Sequence, residues 1–277
     1  MPILRPFIKW AGGKRRLIPS LQKLVPDKYN AYYEPFIGGG SLFLALQPEK
    51  AVIGDTNAQL INVWKRIAAD PENLIQAVTA LDAVPADPAR YRDLRAAYNA
   101  GIHTIFDLEQ AALFIWLNKH CFNGLYRVNR QGFFNVPYNG KETGPSIDPD
   151  NIRAISAWLQ EHNISIFHGD FRKTCEGAGK DDFVYLDPPY LPMGETRDFT
   201  AYAPGGFCPE DHAAVADFFE KLHTRGAYVM ASNNDTPEAR KLYDFPWAKA
   251  EHIGTLSRSI KASGETLRAK EIIFRNF

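Results

Sequence analysis

Cysteine is scarce in this 277-residue chain: Cys121, Cys175 and Cys208 are odd in number, far apart and free of any C-x-x-C spacing. Neither a disulfide framework nor a zinc site is indicated, no metal is expected, and the cytoplasm is the natural compartment. No stretch approaches the ~18 consecutive apolar residues of a membrane helix, and Arg5 and Pro6 interrupt the apolar N-terminus "MPILRPFIKW", so neither membrane insertion nor targeting is expected. Net charge is also missing. Thirty-two Lys and Arg balance 32 Asp and Glu, which argues neither for nor against a polyanionic partner. There is no internal repeat and no low-complexity tract.

Two familiar nucleotide motifs fail as well. The loop "GGGSLF" has Gly38 and Gly40 of a G-x-G-x-x-G fingerprint, but Phe43 stands at the third glycine, which disfavours a dinucleotide pyrophosphate and with it a dinucleotide oxidoreductase. "FIKWAGGKRRL" ends like a P-loop at Gly12-Gly13-Lys14. The opening glycine is absent, however, and Arg15 occupies the position of the metal-binding Ser or Thr.

What is present is a chain with 45% hydrophobic residues, ample for a large core. Strand and helix signals alternate early ("AYYEPF", "SLFLALQ", "AVIGD") and again after about residue 160 ("ISIFHGD", "DFVYLD", "PEDHAAVADFFEKLHTRG", "AYVMASN", "KEIIFRNF"), the mark of a parallel α/β sheet. Between them, "NAQLINVWKRIAA", "PENLIQAVTAL", "PARYRDLRAAYNA" and "LEQAALFIWLNKH" read as helices, followed by a basic β-hairpin, "YRVNRQGFFNVPYNGK", projecting from them with its turn at Arg130-Gln131-Gly132. The division is thus a core of residues 1–56 and 150–277 with an inserted subdomain of residues 57–149.

Charge is segregated despite its balance. The first thirty residues carry Arg5, Lys9, Lys14, Arg15, Arg16, Lys23 and Lys28 against Asp27, and residues 118–141 carry Lys119, Arg127, Arg130 and Lys141 with no acid. Either zone is suited to phosphates, or is simply solvated surface.

Three constellations carry chemistry. Gly38, Gly39 and Gly40 separate a strand from a helix, where glycines admit a ligand to the backbone or merely make a tight turn. Asp55 closes the next strand, fifteen residues on, where a carboxylate accepts the hydroxyls of a ribose; the alternative is a helix N-cap. A ribose without a pyrophosphate fits S-adenosylmethionine. Trp10 and Lys14 offer an aromatic face and a cation to its purine and carboxylate, or are a core tryptophan beside a surface lysine. The third constellation is Asp187-Pro188-Pro189-Tyr190, where a strand halts at two prolines. A carboxylate and a rigidly aimed Pro188 carbonyl, both accepting hydrogen bonds from an adenine amine, favour a tetrahedral nitrogen able to attack a methyl group, and Tyr190 offers a ring for stacking. An adenine reaches such a pocket only by leaving its duplex.

Together, "FIKWAGGKRRL", "YYEPFIGGGSLF", "GDTNAQLINVW", "NKHCFNGLYRVNRQGFFNVPYN", "FHGDF", "YLDPPY", "ASNND" and "RSI…AKEIIFRNF" resemble, in order, the Dam-like adenine-N6 DNA methyltransferases. The resemblance implies a Rossmann-like S-adenosylmethionine-dependent α/β fold with a helical and β-hairpin target-recognition insert. It further implies S-adenosylhomocysteine as product, double-stranded DNA as partner and no obligate protein partner. By the same resemblance Trp10, Lys14, Pro35, Phe36, Gly38, Gly40, Asp55, Asp170, Phe171 and Asp187 serve the cofactor. Lys119, Phe122, Asn123, Arg127, Arg130, Pro137 and Asn139 serve DNA, with Arg127 on a guanine and GATC as the leading target. RNA, cytosine-N4 and glutamine-amide methylation are the rivals within the chemistry, and a silent DNA-binding relative is the rival outside it. The family habit of Asn or Ser at the position of Asp187 in amide and cytosine enzymes speaks against those two.

Overall fold

Strands that are apolar on both faces need cover on both sides, and "FVYL" is the clearest case: each of Phe183–Leu186 is at most 1% exposed. The computed structural model describes residues 3–141, 144–191, 206–260 and 266–277, the side chains of 256–260 and 266–269 excepted. Arg258-Ser259-Ile260 of the closing motif therefore lies outside the residues whose side chains are described.

Five parallel strands, β1 (Tyr32–Glu34), β2 (Lys50–Asp55), β3 (Asn163–His168), β4 (Phe183–Leu186) and β5 (Tyr228–Asn234), are joined by an antiparallel pair, β6 (Lys249–Ile260) and β7 (Thr266–Arg275). Their order is β3-β2-β1-β4-β5-β7-β6. The order reverses at β1, whose neighbours β2 and β4 lead in opposite directions, and a crevice opens beyond the carboxyl ends of strands at such a point. Proline sets those ends. Pro35 lacks the amide a ladder needs, so "AYYEPF" contributes only three residues.

The described residues form ten α-helices: α1 (Ile18–Gln22), α2 (Ser41–Leu46), α3 (Ala58–Ala69), α4 (Pro71–Asp82), α5 (Pro88–Gly101), α6 (Leu108–His120), α7 (Pro149–Glu161), α8 (Phe171–Thr174), α9 (Pro209–Thr224) and α10 (Pro237–Leu242), with a 3-10 turn at Phe122–Gly124. Their starts are written locally. Asn57, Asp87, Asp107 and Asp148 each accept an amide of the first turn, and Pro71, Pro88 and Pro149 occupy positions with no amide partner to lose. Helix α7 is unanticipated although "DPDNIRAISAWL" carries a cap, a proline and buried Ile152, Ile155 and Leu159. One core face joins Tyr32, Ile53 and Tyr185 of the sheet to Trp64, Trp116 and Phe134; the other joins Val184 and Val229 to Val215, Phe219 and Tyr243. Among the described residues no helix is long and apolar enough to cross a membrane.

The expected hairpin forms only in outline. Isolated bridges, Cys121 to Tyr138 and Val128 to Phe134, replace regular strands, and the segment lies down instead of projecting. The reason is competition for its backbone: Asn99 takes both the amide and the carbonyl of Phe134, while Tyr91 and Arg95 donate to the Val136 carbonyl. Tyr126, Val128, Phe134 and Val136 are buried against the helices.

Candidate active site

The carboxyl ends of β1, β2 and β4 surround a cavity of about 300 Å³. Asp187 follows β4 directly. Its Oδ2 accepts from Lys14 Nζ at 2.7 Å, and the same ammonium donates to the Gly12 carbonyl at 2.6 Å. Lys14 is therefore not a surface lysine: its side chain is 2% exposed and pins the N-terminal turn to the end of β4. Its ammonium also lies 4.6 Å from the centre of the Tyr190 ring. The Tyr190 hydroxyl donates to Glu271 at 2.7 Å, and Leu191 is held at both backbone groups by Asn233 and Asn234 of β5. Pro188 is buried and Pro189 half-buried, and both line the cavity.

Asp55 ends β2 on the opposite wall. Its carboxylate accepts the amides of Asn57 at 2.9 Å and Gly38 at 3.2 Å, tying the glycine loop to the strand. The capping alternative fails for Asp55, because the cap of α3 is Asn57. Burial, opposed by those amides, pushes the Asp55 carboxyl up to about 6.

The glycine loop owes part of its composition to two indoles. A Cβ on Gly38 would stand 2.5 Å from Trp10 and one on Gly40 2.7 Å from Trp64, and both glycines have positive φ, 48° and 68°. Trp10 is itself sandwiched between that loop and the rings of Phe114 and Tyr126, so it is core and cavity wall at once. Pro35 is buried. Phe36 stacks on Phe171 at 5.5 Å, with Phe207 edge-on beyond it, and the Arg172 guanidinium lies 4.4 Å over the Phe171 ring. Asp170 lines the cavity and caps α8 through the Arg172 amide. The structure thus brings Trp10, Lys14, Phe36, Gly38, Gly40, Asp55, Asp170, Phe171 and Asp187 to one cavity; Pro35 stands just behind it.

Sequence reasoning passes over Glu34, Thr56, Arg172, Tyr185, Phe207 and Asp211, all of which line the same space. Glu34 had a readable signal. "YYEP" repeats the strand, acid, proline order of "VYLDP", and the two strands pair in parallel with Tyr33 beside Val184. Glu34 is 3% exposed and accepts the Tyr32 hydroxyl at 2.7 Å. Burial, reinforced by the Asp187 charge and opposed by Tyr32, raises its carboxyl to about 8.

A second concavity of about 530 Å³ lies on the far side of Trp10 and Gly39. It brings Lys9 and Arg15 of the first basic zone together with Lys119 and Asn123 of the second, with Asp148 on the same lining. Asn118 makes the join, bonding both backbone groups of Lys9 and the carbonyl of Gly124. Phe122 is 49% exposed, and its amide donates to the Pro137 carbonyl. Asn139 is used locally, receiving the Lys141 amide and donating to the Lys119 carbonyl. Arg127 lies on the exposed side of the hairpin with its guanidinium on Asn135, and Arg130 is exposed at the tip.

A family model described as D12 class N6 adenine-specific DNA methyltransferase matches residues 10–258. The chain belongs to that family. Relatives agree along nearly the whole length of this methyltransferase. A type II methyltransferase of Lactococcus lactis subsp. cremoris, M1.LlaDCHI, is 43% identical over 276 residues, covering 99% of this chain and 96% of its own. A type II methyltransferase of Methanocaldococcus jannaschii, M.MjaIII, is 37% identical, covering 83% and 84%. The DNA adenine methylase of Haemophilus influenzae is 34% identical, covering 97% and 92%. Membership implies S-adenosylmethionine as cofactor and DNA as substrate.

The donor set fits that cofactor. Aromatic walls at Phe36, Phe171 and Phe207 suit a purine, the Asp55 carboxylate suits ribose hydroxyls, and the half-exposed Asp170 and Arg172 offer polar groups at the rim.

Proposed function

We propose that this methyltransferase acts on the N6 amine of an adenine turned out of double-stranded DNA, within GATC. The observation that carries the reading is Asp187, held at the end of β4 by Lys14 and facing the cavity beside Pro188 and Tyr190. S-adenosylmethionine supplies an electrophilic methyl group and leaves as S-adenosylhomocysteine. Asp55 accepts its ribose, Phe36 and Phe171 flank its purine, and Trp10 closes the wall behind the glycine loop.

Asp187 and the Pro188 carbonyl accept hydrogen bonds from the two N–H groups of the amine. That directs its lone pair at the methyl group and stabilises the charge that builds on nitrogen. Once the nitrogen has taken the methyl group, one of those protons leaves along the Asp187 hydrogen bond to solvent. Tyr190 stacks on the base, which reaches the cavity only once unpaired. Residues 57–149 serve as the target-recognition part. Lys9, Arg15 and Lys119 hold phosphates in the basic groove, Phe122 and Asn123 enter among the bases, and Arg127 reads guanine from the exposed side of the hairpin, flanked by Arg130, Pro137 and Asn139. Family resemblance supplies the GATC assignment.

Expression in a host without adenine methylation, followed by sequencing of modified bases, tests the whole reading. N6-methyladenine in GATC is expected, and Asp187→Ala should abolish it while retaining most DNA affinity. Modified cytosine, adenine methylated elsewhere, or an unmodified genome would each refute a named part: base, site or activity.

A further inference from the structure

The "AKEIIFRNF" motif places a carboxylate where one is expensive to keep. Glu271 sits on β7, flanked by Asn234 of β5 and Gly254 of β6, with its side chain 0% exposed. Ile272, Ile273 and Phe274 follow it, none more than 1% exposed. A buried carboxylate is tolerated when it is hydrogen-bonded, and an apolar residue would fill an inner-strand position without that cost. The Glu271 Oε2 accepts the Tyr190 hydroxyl at 2.7 Å, a bond to the last residue of the Asp-Pro-Pro-Tyr motif.

Tyr190 is thereby gripped from three directions. Glu271 holds its hydroxyl, the Lys14 ammonium lies over its ring, and Asn233 and Asn234 hold the backbone of Leu191 immediately after it. A phenylalanine would offer the same stacking area, so the hydroxyl serves orientation and not surface.

We propose that Glu271 is a positioning residue for methyl transfer: by accepting the Tyr190 hydroxyl it sets the plane of the ring against which the target adenine stacks. This rests on the adenine reading above. Stacking fixes where the amine lies relative to Asp187, and a small tilt of the ring moves the amine out of line with the methyl group.

The test compares wild type, Glu271→Leu, which has no atom to accept the hydroxyl, Tyr190→Phe and the double variant. Three quantities are read: cofactor Kd by calorimetry, kcat on a duplex oligonucleotide, and the fluorescence of a duplex carrying aminopurine at the target adenine. Each single variant should lose about tenfold or more in kcat, with cofactor Kd within about twofold of wild type. The aminopurine signals of the two should shift in the same direction. The double variant should be no worse than the poorer single, since both changes remove one bond.

Wild-type kcat in Glu271→Leu, multiplying losses in the double, or a loss confined to cofactor Kd would overturn the proposal. If Glu271→Leu does not fold, Tyr190→Phe decides, and unchanged kcat and fluorescence there overturn it equally. A wild-type protein that methylates no adenine refutes the adenine reading and this role with it. Wild-type activity beside an unaffected Glu271→Leu refutes the role alone.

Discussion

Replacing Lys14 by methionine keeps the length of the side chain and removes its charge, which leaves Asp187 facing Glu34 without its ammonium. The pair spans 2.7 Å, with the ammonium 2% and the carboxylate 17% exposed. At an effective dielectric constant of about 20 the attraction across that gap is about 6 kcal/mol before desolvation. Desolvation cancels much of it. Removing one partner of such a buried pair costs about 3–5 kcal/mol net, because the other charge is stranded. An unfolding entropy of about 2.1 cal/mol/K per residue over 277 residues is about 0.6 kcal/mol/K, so Lys14→Met should lower the melting temperature by about 5–9 °C. Calorimetry on the cofactor-free protein measures this directly. Lys14→Met combined with Asp187→Asn should recover more than half of the loss, since no charge is then stranded. A melting temperature within about 1 °C of wild type for Lys14→Met, or a double variant no better than the single, would refute the reasoning.

Two further outcomes follow from the opposite wall. Burial raises the Asp55 carboxyl to about 6, so cofactor affinity should fall as pH drops through that value and the ribose loses its acceptor. The same proton favours the folded chain, whose carboxyl binds it more readily than the unfolded one, so the Asp55 contribution to cofactor-free stability rises over that interval while affinity falls. Calorimetric titration from about pH 7.5 to 5.5 checks this, and Asp55→Asn, expected to weaken binding about tenfold or more, should flatten the step; a flat wild-type profile sinks it. Gly40→Ala should cost about 2–4 kcal/mol, because φ is 68° and the new Cβ would stand 2.7 Å from Trp64. Urea denaturation followed by tryptophan fluorescence measures it, and an unmoved midpoint contradicts the packing argument.

Much of the site is legible because its signals are local. An acid at the tip of an apolar strand, followed by prolines at Asp187 and by a helix at Asp55, and glycines before an apolar helix are readable within a few residues, so Asp187, Asp55 and the glycine loop announce themselves. Glu34 carries the same strand, acid, proline signal and is passed over, because nothing in one strand tells that it lies beside another of the same design. The hairpin is misjudged for the opposite reason. Its alternating residues read as strands, yet Asn99, Tyr91 and Arg95, distant in sequence, claim the backbone groups a ladder would use.

Sequence alone determined the chemistry available: which carboxylates end strands, where helices begin, and a motif order that resembles one family. Those features depend on backbone restrictions and capping bonds spanning a few residues. Only the tertiary structure decided which groups meet. It took Lys14 from the surface into a buried pair with Asp187, 173 residues away, brought Lys119 into one groove with Lys9 and Arg15, and set Glu271 of the closing strand under the Tyr190 hydroxyl. Such pairings depend on strand order and on the desolvation of charge, and both exist only once the sheet has formed.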